Sequence, residues 1–227
     1  MSTRPQLQLD PARSVVDQLR ERVAAMERRP ARLPVPTLPA LAGLVPMQAG
    51  STYGVDSVSL ALALAAGASQ AGEWVGFAGW PDLGIEAAAR IGIDLDRTVL
   101  VPDPGEHWLE VTAALVDVLR VVVLRAPAKV SAREAEVLDS RLRTRSAVLV
   151  VCGAWPKLEA RLSLEQTVWS GPQAGRGALT ERLTRVAVRR GARPPTVADL
   201  VWSDCVALAP EDRVSSGTAP AMREASG

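Results

Sequence analysis

The chain has 227 residues, roughly one and a half domains at about 150 residues each, so one large domain with extended ends fits better than two full ones. Apolar residues make up 48% and charged residues 22%, and 26 basic side chains nearly cancel 25 acidic ones, which excludes a global field that would draw the chain to nucleic acid or membrane. One histidine and two cysteines exclude His-rich metal centres, four-ligand zinc sites and most Ser-His-Asp or Cys-His catalysis.

No apolar run reaches the roughly 18–20 residues of a membrane span. The N-terminus lacks an apolar h-region, so the expectation is a cytoplasmic chain with Cys152 and Cys205 as free thiols. All the basic residues except Lys129 and Lys157 are arginine, which limits lysine-dependent chemistry to two positions.

Residues 10–28 read as an amphipathic helix. Asp10 can cap it, Pro11 suits its first position, and Val15, Val16, Leu19, Val23 and Met26 share one side. Pro30, Pro34, Pro36 and Pro39 then break the chain into an extended linker. From 44 to 152, short apolar runs alternate with helical ones. Strands are expected at Val45–Ala49, Trp74–Ala78, Val99–Val101, Arg120–Leu124 and Ala147–Cys152. Helices are expected at Asp56–Ala68, Leu83–Ile91, Glu106–Val118 and from Ser131 to Arg143, the last with Glu134 in a capping box. Such alternation predicts an α/β domain with a mostly parallel sheet covered on both faces.

The period then changes to two. Arg161–Trp169 and Arg182–Arg190 alternate on either side of a Gly-rich loop at 171–178. They predict an antiparallel hairpin on the sheet edge, with Leu183, Val186 and Val188 facing in and the arginines out. One more short element is expected in Thr196–Leu208, and a tail of small and polar residues from 209. This organisation gives an arm and linker at 1–36, a core at 37–208 with the hairpin at about 161–193, and a tail at 209–227.

The expected turn between the first strand and the apolar helix runs from Ala49 through Gly50 and Gly54 to Val55 and Asp56. A phosphate loop, GxxxxGK[ST], belongs at such a turn, because its amides cradle phosphates, its Lys offsets their charge and its Ser/Thr holds magnesium. Here Ala49 stands at the first glycine, Gly54 at the second, Val55 at the lysine and Asp56 at the Ser/Thr position. Losing a cation and gaining an anion both act against a nucleotide, and Asp56 is expected to cap the helix instead. No cofactor, no metal and no ATPase activity are expected.

Residues 45–125 resemble the RecA core in order and spacing, most specifically at ARIGIDLDRTVLVPDPGE, Ala89–Glu106. The resemblance implies a RecA-like twisted sheet flanked by helices, with an N-terminal helical arm and a C-terminal antiparallel hairpin. It puts the magnesium-binding aspartate near Arg125 and the catalytic glutamate near Trp80–Pro81, where Asp82 is the acid at hand. With the lysine, three requirements for hydrolysis are missing together. Over about 10–205 the chain resembles the actinobacterial mutasome accessory proteins of the ImuA′ family, RecA relatives without the motor. That likeness implies a non-catalytic adaptor in damage-induced mutagenesis and translesion synthesis, bound to ImuB and, through it, to an error-prone C-family polymerase. It also brings RecA, a second copy of the chain and weak DNA binding into the list of partners. Docking of an N-terminal helix on a neighbour, as in RecA, would use Val15, Leu19, Val23 and Met26. Two rival readings are a division inhibitor resembling SulA and a RecA-class ATPase with a non-standard site.

The remaining expectations concern single residues. His107 reads as a solvated or capping histidine, and Ser51 and Ser57 lack a base. Trp155 and Trp169 stand at element ends, where an exposed indole suits a partner hot spot. Arg176, Arg182, Arg185, Arg189, Arg190 and Arg193 read as a solvated face, a contact for the DNA backbone or one for an acidic partner.

Overall fold

The computed structural model describes residues 33–170, 181–203 and 206–208. The helix expected over 10–28, with Val15, Leu19, Val23 and Met26, lies outside the described residues, as do Arg176 in the 171–178 loop and the tail from 209. Helix α1 (Pro39–Ala42) leads to β1 (Ser51–Val55), α2 (Val58–Gln70), β2 (Val75–Ala78), α3 (Ile85–Ile91) and β3 (Thr98–Val101). Next come α4 (Trp108–Val118), β4 (Val121–Arg125), α5 (Ala132–Arg145) and β5 (Val148–Cys152). The C-terminal part is β6 (Ala160–Ser170), β7 (Glu181–Arg189), β8 (Thr196–Ser203) and β9 (Val206–Leu208).

All of these strands form one nine-stranded sheet in the order β3-β2-β4-β5-β1-β6-β7-β8-β9. Every pairing from β3 to β6 is parallel, and every pairing from β6 to β9 is antiparallel. The α/β class and the mostly parallel sheet are as the residues predict. Val121–Leu124 and Val148–Val151 are fully buried, because helices cover both faces of a parallel sheet and leave no solvent side for polar residues. The capping box also forms: Glu134 N–H donates to Ser131 Oγ, and the Glu134 carboxylate accepts from Ser131 N–H. Asp117 ties α4 to α5 by accepting from Arg141 at 2.7 Å and Arg145 at 3.3 Å.

The apolar helix α2 is buried from Leu60 to Ser69, so it is apolar all round rather than along one stripe. The sheet covers one side. Residues 33–49 cross the other, held by hydrogen bonds from Val35 N–H to Met47 O and from Ala49 N–H to Leu33 O. The antiparallel end of the sheet curls over the same face and brings β9 beside α1 and α3.

Two expectations are corrected. Val45–Ala49 is not a strand: Pro46 cannot donate to a ladder, and the stretch makes only an isolated bridge, Pro34 to Gln48. The first strand is instead Ser51–Val55, whose β-branched and aromatic residues suit a strand with both faces buried. The turn glycine is Gly50, at φ +74°, not Gly54. The antiparallel hairpin is present, as expected, at the edge of the parallel strands. Strand β6 pairs in parallel with β1, matching Tyr53, Gly54 and Val55 to Ala160, Arg161 and Leu162, so the sheet continues through it. Among the described residues no helix is long and apolar enough to cross a membrane.

Candidate functional site

In open α/β sheets, ligands bind beyond the carboxyl ends of the strands, where helix N-termini converge. In this chain β1 ends at Val55, and Asp56 and Ser57 are the whole connection to α2. Gly54 and Val55 lie inside β1, paired with Val151 and Cys152 of β5. Ala49 and Gly50 lie before β1, at the opposite edge of the sheet, where Gly50 N–H donates to Ala147 O. The five residues expected to form a vestigial phosphate loop therefore do not come together. Two residues are too few to curl a row of amides around a phosphate.

What those residues do instead follows from their contacts. A Cβ on Gly54 would sit 2.6 Å from Leu158 Cδ1 and 3.3 Å from Arg161 Cζ, so this glycine makes room for side chains laid over the strand. The Asp56 carboxylate accepts from Leu164 N–H of β6 at 3.1 and 3.2 Å. It thus extends the β1–β6 ladder by one rung. Ser57, not Asp56, caps α2, accepting from Leu60 N–H at 3.2 Å.

The positions expected to have lost the magnesium ligand and the catalytic acid do meet. The Arg125 guanidinium at the end of β4 lies 4.2 Å from the centre of the Trp80 ring and pairs with Asp82 at 2.8 Å. A cation stacked on a buried indole and bound to an exposed carboxylate thus stands at the end of β4. Cys152, at the end of β5, is half-buried. Burial pushes its thiol pKa up; the charges of Arg125 and Arg161 oppose that rise and Asp56 adds to it. The neutral thiol is a poor nucleophile. Ser51 is buried in β1, and His107 is exposed in a short turn before α4. Among the described residues no group of three or more His, Cys, Asp or Glu side chains is placed to hold a metal.

The arginines of the second half do not form one face. Successive residues of a strand point to opposite sides, so Arg182 shares the side of Val186 and Val188 while Arg185 and Arg189 take the other. Leu183, expected to face in with the valines, lies on the side of Arg185 and is half-buried. Arg182 stands in a row across three strands, paired with Trp169 of β6 and Trp202 of β8. Its guanidinium is 5.4 Å from the Trp169 ring centre and 4.6 Å from that of Trp202. Trp202 is buried; its Nε1–H donates to Thr184 Oγ1 at 2.7 Å, and the Thr184 hydroxyl donates to Leu200 O at 3.4 Å. Arg190 donates to Leu44 O at 2.6 Å, and Arg161 to Gly153 O at 3.1 Å. Of the two tryptophans expected at a surface, Trp155 is buried, edge-to-face with Trp108 at 6.4 Å. Trp169 is 53% exposed.

Arg185 grips Asp199 through two hydrogen bonds, of 2.9 and 3.1 Å. That hydrogen bonding holds the Asp199 carboxyl below the usual carboxylate range; burial opposes it, and the guanidinium charge adds a lesser lowering. A carboxyl lowered in the folded state stabilises it above the unfolded value of about 3.9, and that contribution is lost as pH falls through the folded value. Asp199→Asn therefore lowers the unfolding temperature slightly at pH 7, and the gap to wild type closes below about pH 4. The pair is exposed, so 1 M salt shrinks the gap as well. Thermal unfolding at several pH values and two salt concentrations checks this. A gap that widens on acidification would contradict it.

The row Trp169–Arg182–Trp202 is not legible in sequence, whereas the positions of the Trp80–Arg125–Asp82 cluster are marked there only through the RecA resemblance. The row joins residues on three strands that only the register brings opposite one another; the cluster joins the loop after β2 to the end of β4.

The MT3502 N-terminal domain family matches residues 38–157, just over half of the chain. That span runs from α1 to just past β5 and stops before β6. A Mycobacterium tuberculosis (strain ATCC 25618 / H37Rv) relative, carrying the description "Uncharacterized protein Rv3395c", is 34% identical over 131 residues, 57% of this chain and 64% of its own length. The chain thus spans less than two thirds of that relative.

Proposed function

The chain belongs to the MT3502 N-terminal domain family, and from that premise we propose that it is a non-catalytic, RecA-like adaptor in damage-induced mutagenesis. In this reading it binds ImuB and, through ImuB, an error-prone C-family polymerase. The observation that carries the non-catalytic part is the two-residue connection between β1 and α2. A nucleotide needs a loop there, and this chain has strand up to Val55 and helix from Val58. Arg125 on Trp80 and Asp82 supports the same conclusion, since a guanidinium at the strand ends repels a magnesium ion. The likeness to RecA draws support from the parallel sheet with helices on both faces and an antiparallel extension after it. Function in this reading lies in surfaces rather than in a reaction.

Association with ImuB tests the proposal. The full chain is expected to form a complex with purified ImuB in the absence of nucleotide, with an affinity that ATP and magnesium leave unchanged. Failure of the two proteins to associate would overturn the adaptor reading, and steady ATP turnover by the complex would overturn its non-catalytic part. Leu162, Val186, Val188, Leu200 and Trp202 belong to the main hydrophobic core, so point substitutions on the surface are the proper probes.

A further inference from the structure

We propose that the end of β6, from Glu165 to Ser170, is a strand flap that opens from β7 while the core stays folded, with the Asp56 carboxylate as the latch at its base. The flap is a property of the chain alone and stands whether or not the chain binds ImuB. Strand β6 begins as an inner strand, with β1 on one side and β7 on the other. Pairing with β1 stops at Leu162, because β1 ends at Val55. Pairing with β7 continues to Ser170, opposite Glu181. From Glu165 onward the strand is therefore paired on one side only.

Burial changes at the same point. Ala160 and Leu162 are buried, Ser163 and Leu164 half-buried, and every residue from Glu165 to Trp169 exposed. On β7, Thr184 and Val186 are buried and Glu181, Arg182 and Leu183 half-buried. Strand β8 lies on the far side of β7 along this stretch, and its Leu200 and Trp202 belong to the main core. Strand β7 is thus anchored where the end of β6 is not. A hinge stands at the boundary. Leu164 pairs with Val186 and Gln166 with Arg185, so Glu165 is an extra residue, a β-bulge that interrupts the ladder. A segment with exposed side chains, held by one ladder, opens at a lower free energy than the core that carries it.

The flap is held at both ends. At its base, both Asp56 oxygens accept from Leu164 N–H, at 3.1 and 3.2 Å, on the side where β1 has ended. A charged acceptor makes this bond stronger than a rung between amides. Toward the tip, the Trp169 ring lies 5.4 Å from the Arg182 guanidinium, which stacks on buried Trp202. Lifting the flap draws Leu164 off the carboxylate and Trp169 off the guanidinium. It also bares the backbone edge of β7 from Glu181 to Arg185, and an unpaired strand edge is a template for pairing with another chain. Asp56 thereby guards an edge, a use for the acid that follows β1 and does not cap α2.

Hydrogen exchange of the full chain, followed residue by residue at pH 7 with and without dilute urea, tests this. The paired amides of residues 166–170 are expected to exchange about a hundredfold faster than those of β4 and β5, and with little dependence on urea, because opening exposes little surface. Asp56→Ala is expected to speed exchange of 164–170 about tenfold. Asp56→Asn, whose amide oxygen still accepts, is expected to recover part of the protection. Gly67→Ala, in the core, is expected to speed β4 and β5 and to leave 166–170 unchanged, because the flap opens with α2 still in place. Exchange of 166–170 at the rate and urea dependence of β4 and β5 would overturn the flap. Exchange of 166–170 that Asp56→Ala leaves unchanged would mean that the carboxylate bond survives opening, and would overturn the latch.

Discussion

Replacing Val55 with lysine and Asp56 with threonine completes the end of a phosphate-loop motif on paper, yet the double variant is expected to unfold rather than to gain a nucleotide. Val55 is fully buried in β1, between Cys152 of β5 and Leu162 of β6. A lysine there must lose its proton or leave a charge in the core, a cost of about 4 kcal/mol at neutral pH. That is a large share of the roughly 5–15 kcal/mol by which a domain is stable. Losing Asp56 adds an unpaired Leu164 N–H. Urea denaturation followed by tryptophan fluorescence measures the loss, and calorimetry with ATP and magnesium measures any gain. A stable double variant that binds ATP would mean that residues 49–57 form a loop.

The second large effect is expected at Gly67, in the middle of α2. In an exposed helix Gly→Ala is stabilising by about 1 kcal/mol. Here a Cβ would lie 2.6 Å from Leu38 N and closer still to Thr37 Cα and carbonyl carbon. Backbone cannot move aside as a side-chain tip can, so the crossing segment must lift, taking buried Val35 and Leu38 with it. Gly67→Ala is expected to destabilise the chain by about 2–3 kcal/mol net, read as a lower urea midpoint. Gly54→Ala is the comparison. Its Cβ meets the tip of a side chain, Leu158 Cδ1, rather than backbone, and should cost less. A neutral or stabilising Gly67→Ala would contradict the packing of residues 33–38 on α2.

How much of this was readable depends on whether the deciding signal is local. Strands β2, β4 and β5 are continuous apolar runs between helical ones, and the Ser131–Glu134 box marks the start of α5; local chemistry suffices for both. The first strand was misplaced because apolarity and glycine mislead there. Val45 and Met47 are apolar because they are buried in the core beside α2, not because they join a ladder. Gly54 is a glycine because Leu158 and Arg161 lie over it, not because the chain turns. The phosphate-loop frame inherited that misplacement, and the case against a nucleotide rests instead on the two-residue connection between β1 and α2. In the ribbon, alternation in LTRVAVR was visible, but only the register shows that Arg182 shares a row with two tryptophans. Trp169 was legible as a candidate because it ends an alternating run, whereas Trp155 resembles it in sequence and is buried.

The most direct test of the central claim is a calorimetric titration of the full chain with ATP and magnesium up to millimolar concentration. The account predicts no saturable heat, because only Asp56 and Ser57 join β1 to α2 and the Arg125 guanidinium stands at the strand ends. Saturable binding in the micromolar range would contradict it, and would make any partner association a nucleotide-dependent one.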